Sequence, residues 1–110
     1  MIKVTISRHK TNGTIISFSM SGHAGYADPG QDIVCAAASG ISFGTINAID
    51  QLLNTKLHIE MDEKTGFLHC VVPTTLETST QEKVQLLLEG MLVSLESVAS
   101  EYGQYITISK

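Results

Sequence analysis

The sequence predicts an α+β two-layer domain of order ββαββαβ, one mainly antiparallel sheet with two helices packed on one face. Three observations carry this reading. Two pairs of alternating apolar segments are each joined by a short turn-forming stretch, a long segment with helical character follows each pair, and one more alternating segment ends the sequence. A length of 110 residues fits a single domain, 1–110. A chain of that size buries roughly two thirds of its unfolded surface, enough for one core without disulfides or a structural metal.

The elements follow in order. Ile2 to Ser7 alternates, and Thr14 to Met20 alternates again, with Asn12-Gly13 as the turn signal between them. Pairing Ile6 with Ile16, Val4 with Phe18 and Ile2 with Met20 puts all large side chains on one face. Residues 22–32 (GHAGYADPGQD) have no periodicity and are rich in glycine and proline, so they form a loop expected to be mobile. Ile33 to Leu53 is too long for a strand and rich in alanine, which predicts a helix with Asp32 as N-cap. Lys56 to Asp62 and Phe67 to Val72 form the second hairpin. With Asp62 opposite Phe67, Leu57, Ile59, Met61, Leu68, Cys70 and Val72 share the core face. His58, Glu60 and His69 face the other way, as solvated polar residues rather than a metal site. Ser79 and Glu82 have capping-box spacing before the helical repeat Val84, Leu88, Met91, Leu92 and Leu95, and Gln104 to Lys110 reads as a terminal strand.

Composition narrows the function. With 43% hydrophobic and 16% charged residues the chain is a folded one. Eleven acidic against seven basic residues give a net charge of −4, without the basic footprint of a direct nucleic-acid partner. The apolar stretch after Asp32 is broken by Ser39, Ser42, Asn47 and Asp50, so no membrane span is expected. Cys35 and Cys70 fit no zinc, haem or CxxC spacing, and Ile2, Val4 and Ile6 alternate with polar residues rather than forming a secretory signal. Free thiols in a cytoplasmic protein, with no metal or cofactor, are the expectation.

His23, Tyr26, Asp28, Asp32 and Cys35 fall within thirteen positions. If the helix starts at Ile33, Cys35 lies in its first turn, where the helix dipole and unpaired amides favour a thiolate. His23 can be folded back to it by the intervening loop, giving the nucleophile and base of a cysteine hydrolase, and amides at the same helix start are expected to hold an oxyanion. Local pattern leaves a plainer reading open: Cys35 between Val34 and Ala36 as a small core residue, and His23 as a turn residue. Asp32 has two roles available, helix cap or orienter of the imidazole. Cys70, among Leu68, Val72 and Ile59, reads as structural. A minor apolar stripe of Leu86, Gly90 and Val93, with a first helix apolar on nearly every side, leaves surface that a dimer could cover.

Gly22-His23-Ala24-Gly25-Tyr26-Ala27, followed by Asp32-Ile33-Val34-Cys35-Ala36-Ala37 and Ser39, resembles the signature of the ribosomal-processing cysteine protease family, Prp, and length and element order agree over essentially the whole sequence. The resemblance implies a cytoplasmic endopeptidase of Gram-positive bacteria that removes the N-terminal extension of a large-subunit ribosomal protein and acts as a homodimer. It implies Cys35 as nucleophile, His23 as general base and Asp32 as a third member or helix cap. Gly22, Ala24, Gly25 and Tyr26, with Ser39, would form a flexible substrate-binding loop and its surroundings, beside an apolar groove. The glycines around Tyr26 add an expectation of their own, that the loop closes over a peptide with a substrate aromatic packed on that ring. Asp28-Pro29 and Ala38 depart from the family pattern without touching that chemistry. Two non-proteolytic alternatives are a ribosome-associated peptide-binding module and a thiol redox sensor; the second is disfavoured because Cys70, assigned to the core, is not free to act as a resolving thiol.

Overall fold

In the computed structural model, which describes residues 1–110, the alternating segments form strands β1 (Ile2–Arg8), β2 (Ile15–Ser21), β3 (His58–Asp62), β4 (Phe67–Val71) and β5 (Ile106–Ser109). The two long segments form helices α1 (Ile33–Leu53) and α2 (Thr78–Glu101). The strands make one sheet in the order β3-β4-β2-β1-β5. Three ladders are antiparallel, while β5 pairs parallel with β1 because α2 carries the chain across the sheet to its far edge. Ile2, Val4, Ile6, Phe18, Met20, Leu68 and Cys70 are buried in one core with Val34, Ala38, Ile46 and Ile49 of α1 and Val84, Leu88 and Leu95 of α2. Lys3 and Thr5, which alternate with them, are exposed. Both helices therefore cover one face, as the patterning requires.

By length and composition α1 is apolar enough to cross a membrane, contrary to the expectation from its interruptions, because serine, threonine and asparagine weigh little against so many alanines and isoleucines. Its packing accounts for part of that apolarity: Val34, Ala38, Ser42, Ile46 and Ile49 form a buried stripe, and Ser42 Oγ donates to Met20 Sδ at 3.1 Å.

Three expectations are corrected. The first hairpin pairs Val4 with Met20 and Ile6 with Phe18, two residues away from the expected register, and an irregularity between Ser7 and Arg8 sets Arg8 opposite Ile15. Ile15 thereby enters the core and Ile16 is left 39% exposed. The cause is tertiary: the Gln85 side chain of α2 accepts from Ile15 N (2.7 Å) and donates to Ile15 O (2.9 Å), satisfying backbone groups that the bulge leaves outside the ladder. The second hairpin has the expected register, Asp62 opposite Phe67, yet Ile59 and Met61 stand 43% and 50% exposed. They point to the helical side, but β3 is the sheet edge and neither helix reaches over it. Finally, α2 starts at Thr78 with Glu77 as N-cap and no side-chain cap bond, so Ser79 lies inside the first turn and forms no capping box with Glu82.

Candidate active site

Asp32 shapes the loop that precedes α1. Its Oδ1 accepts from Val34 N and Cys35 N, both at 3.0 Å, and its Oδ2 accepts from Tyr26 N at 2.9 Å and Ala27 N at 3.2 Å. One carboxylate thus caps the helix and fastens the loop to it. Burial pushes this carboxyl up, but the amides of Cys35, Ala27, Tyr26 and Val34 outweigh burial and hold it below the ordinary range. With both oxygens committed to backbone, Asp32 is a cap and not the orienter of an imidazole. Three first-turn amides are already bonded, Val34 N and Cys35 N to the Asp32 side chain and Ala36 N to the Asp32 carbonyl at 3.0 Å. These three, among the helix-start amides expected to hold an oxyanion, are therefore not free to do so.

Cys35 is half-buried in that first turn, and the Ala24 N–H donates to its Sγ at 3.3 Å. Ala24 itself is buried, so the loop meets α1 at the thiol. His23, one residue earlier, is exposed, and its Nε2 lies 3.1 Å from the carbonyl oxygen of Lys64 in the β3–β4 turn. Cys35 and His23 border the same two cavities without a hydrogen bond between them. The first, about 460 Å³, is walled by apolar side chains of β2, α1, β3 and β4, among them Met20, Phe43, Met61, Phe67 and Leu68. The second, about 520 Å³, runs under the loop past Gly25, Pro29 and Gly30, and Ser39 borders both.

The remaining loop residues divide. Gly22 borders the first cavity and Gly25 the second, whereas Tyr26 borders neither. Its ring meets Tyr102 and Tyr105 edge-on, with centroids 5.7 and 5.2 Å apart, so the aromatic expected to receive substrate instead pins the loop to the end of α2 and the start of β5. Sequence reasoning missed the Lys64 carbonyl and the exposed Met61–Phe67 wall. The glycine of the β3–β4 turn and the edge position of β3 were the available signals.

Comparison with known proteins shows the family and the fold. The family model described as cysteine protease Prp matches residues 1–107. The ribosomal processing cysteine protease Prp of Bacillus subtilis is 38% identical over 109 residues, covering 99% of this chain and 96% of the relative. A crystal structure of the essential ribosomal processing protease Prp from Staphylococcus aureus, in complex with a covalently linked product peptide, superposes with a TM-score of 0.88 at 36% identity, covering 99% of this chain and 98% of that one. The same protein in complex with a substrate peptide gives 0.83 at 34% identity, with the same coverage.

Proposed function

The chain belongs to the Prp family of cysteine proteases, and from that premise we propose that Cys35 is its nucleophile, His23 its general base, and the N-terminal extension of a large-subunit ribosomal protein its substrate. That the chain is a cysteine protease acting on a peptide follows from the family. The assignment of roles is supported above all by the setting of the Cys35 sulfur: a first-turn thiol with an amide directed at it, on the border of an apolar cavity that it shares with an imidazole.

The chemistry is acyl transfer. The thiol proton passes to His23 as sulfur attacks the scissile carbonyl carbon, the C–N bond breaks, and the imidazolium returns the proton to the leaving amine. Water, deprotonated by the same imidazole, then cleaves the thioester and restores the thiol. Because three helix-start amides serve Asp32, the Ala24 N–H is a backbone donor that can turn from the sulfur to the developing oxyanion. Met61, Phe67 and Leu68 offer apolar wall to hydrophobic or aromatic residues of the extension. The covalently linked product peptide in the Staphylococcus relative favours this reading over a peptide-binding module.

We further propose a cytoplasmic homodimer. Leu86 and Val93, seven residues apart on α2, are 73% and 63% exposed, and Leu52 of α1 is 74% exposed, an apolar outer surface that a second copy would cover. Light scattering at micromolar concentration should give twice the chain mass; a monomer contradicts it.

The functional test is incubation with a ribosomal-protein precursor carrying the extension and with the same protein lacking it, read by intact mass. Only the extended form should shorten, with Cys35→Ser abolishing the reaction and His23→Ala slowing it by about 10²-fold or more. Cleavage by Cys35→Ser, or none by the wild type, contradicts the proposal.

A further inference from the structure

With Asp32 committed to backbone amides, a different group must fix the histidine. The Lys64 carbonyl can only accept a hydrogen bond, so at 3.1 Å the Nε2 of His23 must carry the proton. In the neutral ring the basic nitrogen is then Nδ1. A second bond ties the same two segments, from Gly22 N–H to the Thr65 carbonyl at 3.2 Å. The turn offering both carbonyls is held in shape by Asp62, whose Oδ1 accepts from Lys64 N at 3.0 Å. Gly66 lets it approach. With φ at +66° a side chain is already strained there, and a Cβ would overlap the Gly22 carbonyl oxygen and stand 3.1 Å from His23 Cε1.

We infer that the β3–β4 turn is the orienting element of His23: the Lys64 carbonyl fixes the Nε2–H tautomer and leaves Nδ1 to take the thiol proton, with Asp62 and Gly66 as positioning residues. The inference rests on the assignment of His23 as general base made above. In this arrangement a backbone carbonyl performs the task that a carboxylate or amide side chain performs in other hydrolases, namely choosing the tautomer and holding the ring plane. A carbonyl adds no full negative charge, so it orients the ring without a second carboxylate beside the thiol. The proton route is then complete: thiol to Nδ1, and Nδ1 to the leaving amine.

The test combines imidazole nitrogen NMR of histidine-labelled protein with steady-state cleavage of the extension peptide, on wild type, Gly66→Ala, Asp62→Ala and Asp62→Asn. In wild type, at a pH where the ring is neutral, His23 should show one tautomer, protonated at Nε2 and bare at Nδ1. Gly66→Ala and Asp62→Ala should show mixed tautomers and a kcat lowered by about 10- to 100-fold, with KM within about threefold of wild type. Asp62→Asn retains the side-chain acceptor and should restore both tautomer and kcat. An Nδ1-protonated ring in wild type overturns the inference, as does wild-type kcat in Asp62→Ala. If Gly66→Ala fails to fold, the wild-type tautomer and the Asp62 pair decide. Wild-type cleavage by His23→Ala together with an Nε2-protonated ring would refute the catalytic assignment and leave the orientation standing, so the two failures are distinguishable.

Discussion

Cys35 and Cys70 are the same side chain in two settings. Cys70 lies in β4 opposite Phe18 of β2 and Ile59 of β3, fully buried, and burial pushes its thiol up to about 11. Cys35 lies where a loop meets a helix, half-buried, with an amide directed at its sulfur and a cavity before it. A strand interior offers sulfur no donors, because the backbone amides around it are spent on the ladder. The loop leading into α1 has an amide to spare, and Ala24 N–H donates to Cys35 Sγ while Asp32 takes the amides of Val34 and Cys35. On the proposed assignment, reactivity belongs to the junction between elements.

Alkylation should separate the two thiols by the largest margin. At pH 8 a thiol titrating near 11 is ionised in about one molecule in a thousand and is also out of reach. Iodoacetamide should therefore modify Cys35 at least about 100-fold faster than Cys70 in the folded protein, read by peptide mapping. Comparable rates would erase the distinction.

Substitution should invert it. Cys70→Ser places a hydroxyl in an apolar site and should cost about 1–3 kcal/mol in denaturant unfolding while the folded fraction keeps full activity. Cys35→Ser should do the reverse. Loss of activity in folded Cys70→Ser would show that the core thiol is not merely structural.

A smaller effect sits at Asp32, which builds the junction. Its lowered carboxyl stabilises the fold fully above the ordinary value of about 3.8, and that contribution is lost as pH falls through the lower folded value. Asp32→Asn should lower Tm by several degrees at pH 7, with the gap to wild type closing below about pH 3.8 in thermal melts. A gap that persists at low pH would mean that the charge is not what holds the loop.

The smallest effect belongs to a surface contact away from both thiols. Arg8 and Glu89 form a two-pronged pair at 2.8 Å per bond; the hydrogen bonds from Arg8 hold Glu89 below its ordinary range. Both side chains are substantially solvated, so Glu89→Gln should cost no more than about 1 kcal/mol by denaturant unfolding and leave alkylation and cleavage unchanged.

The same contrast explains what was legible in the sequence. The bounds of α1, its Asp32 cap and the register of the second hairpin follow from local pattern, because capping chemistry and strand alternation are written into neighbouring residues. The register of the first hairpin is not local, since Gln85, seventy positions from Ile15, bridges the backbone at the bulge. Ile59 and Met61 alternate like core residues and are left exposed because β3 is the edge strand, Met61 as part of the cavity wall. His23 and Cys35 stand out only through the family resemblance of the blocks around them, since local pattern leaves them open as a turn residue and a core residue. The Lys64 carbonyl does not, because every residue has one and only the fold aims it.

In the proposed mechanism Cys35, not Cys70, carries the acyl group. Rapid acid quench of the enzyme with its extended substrate, followed by intact mass and peptide mapping, tests it directly. Cys35 should gain the mass of the released extension less one water, as a thioester, before the free extension appears. An adduct on Cys70, or cleavage in which no acylated enzyme ever forms, would contradict the account.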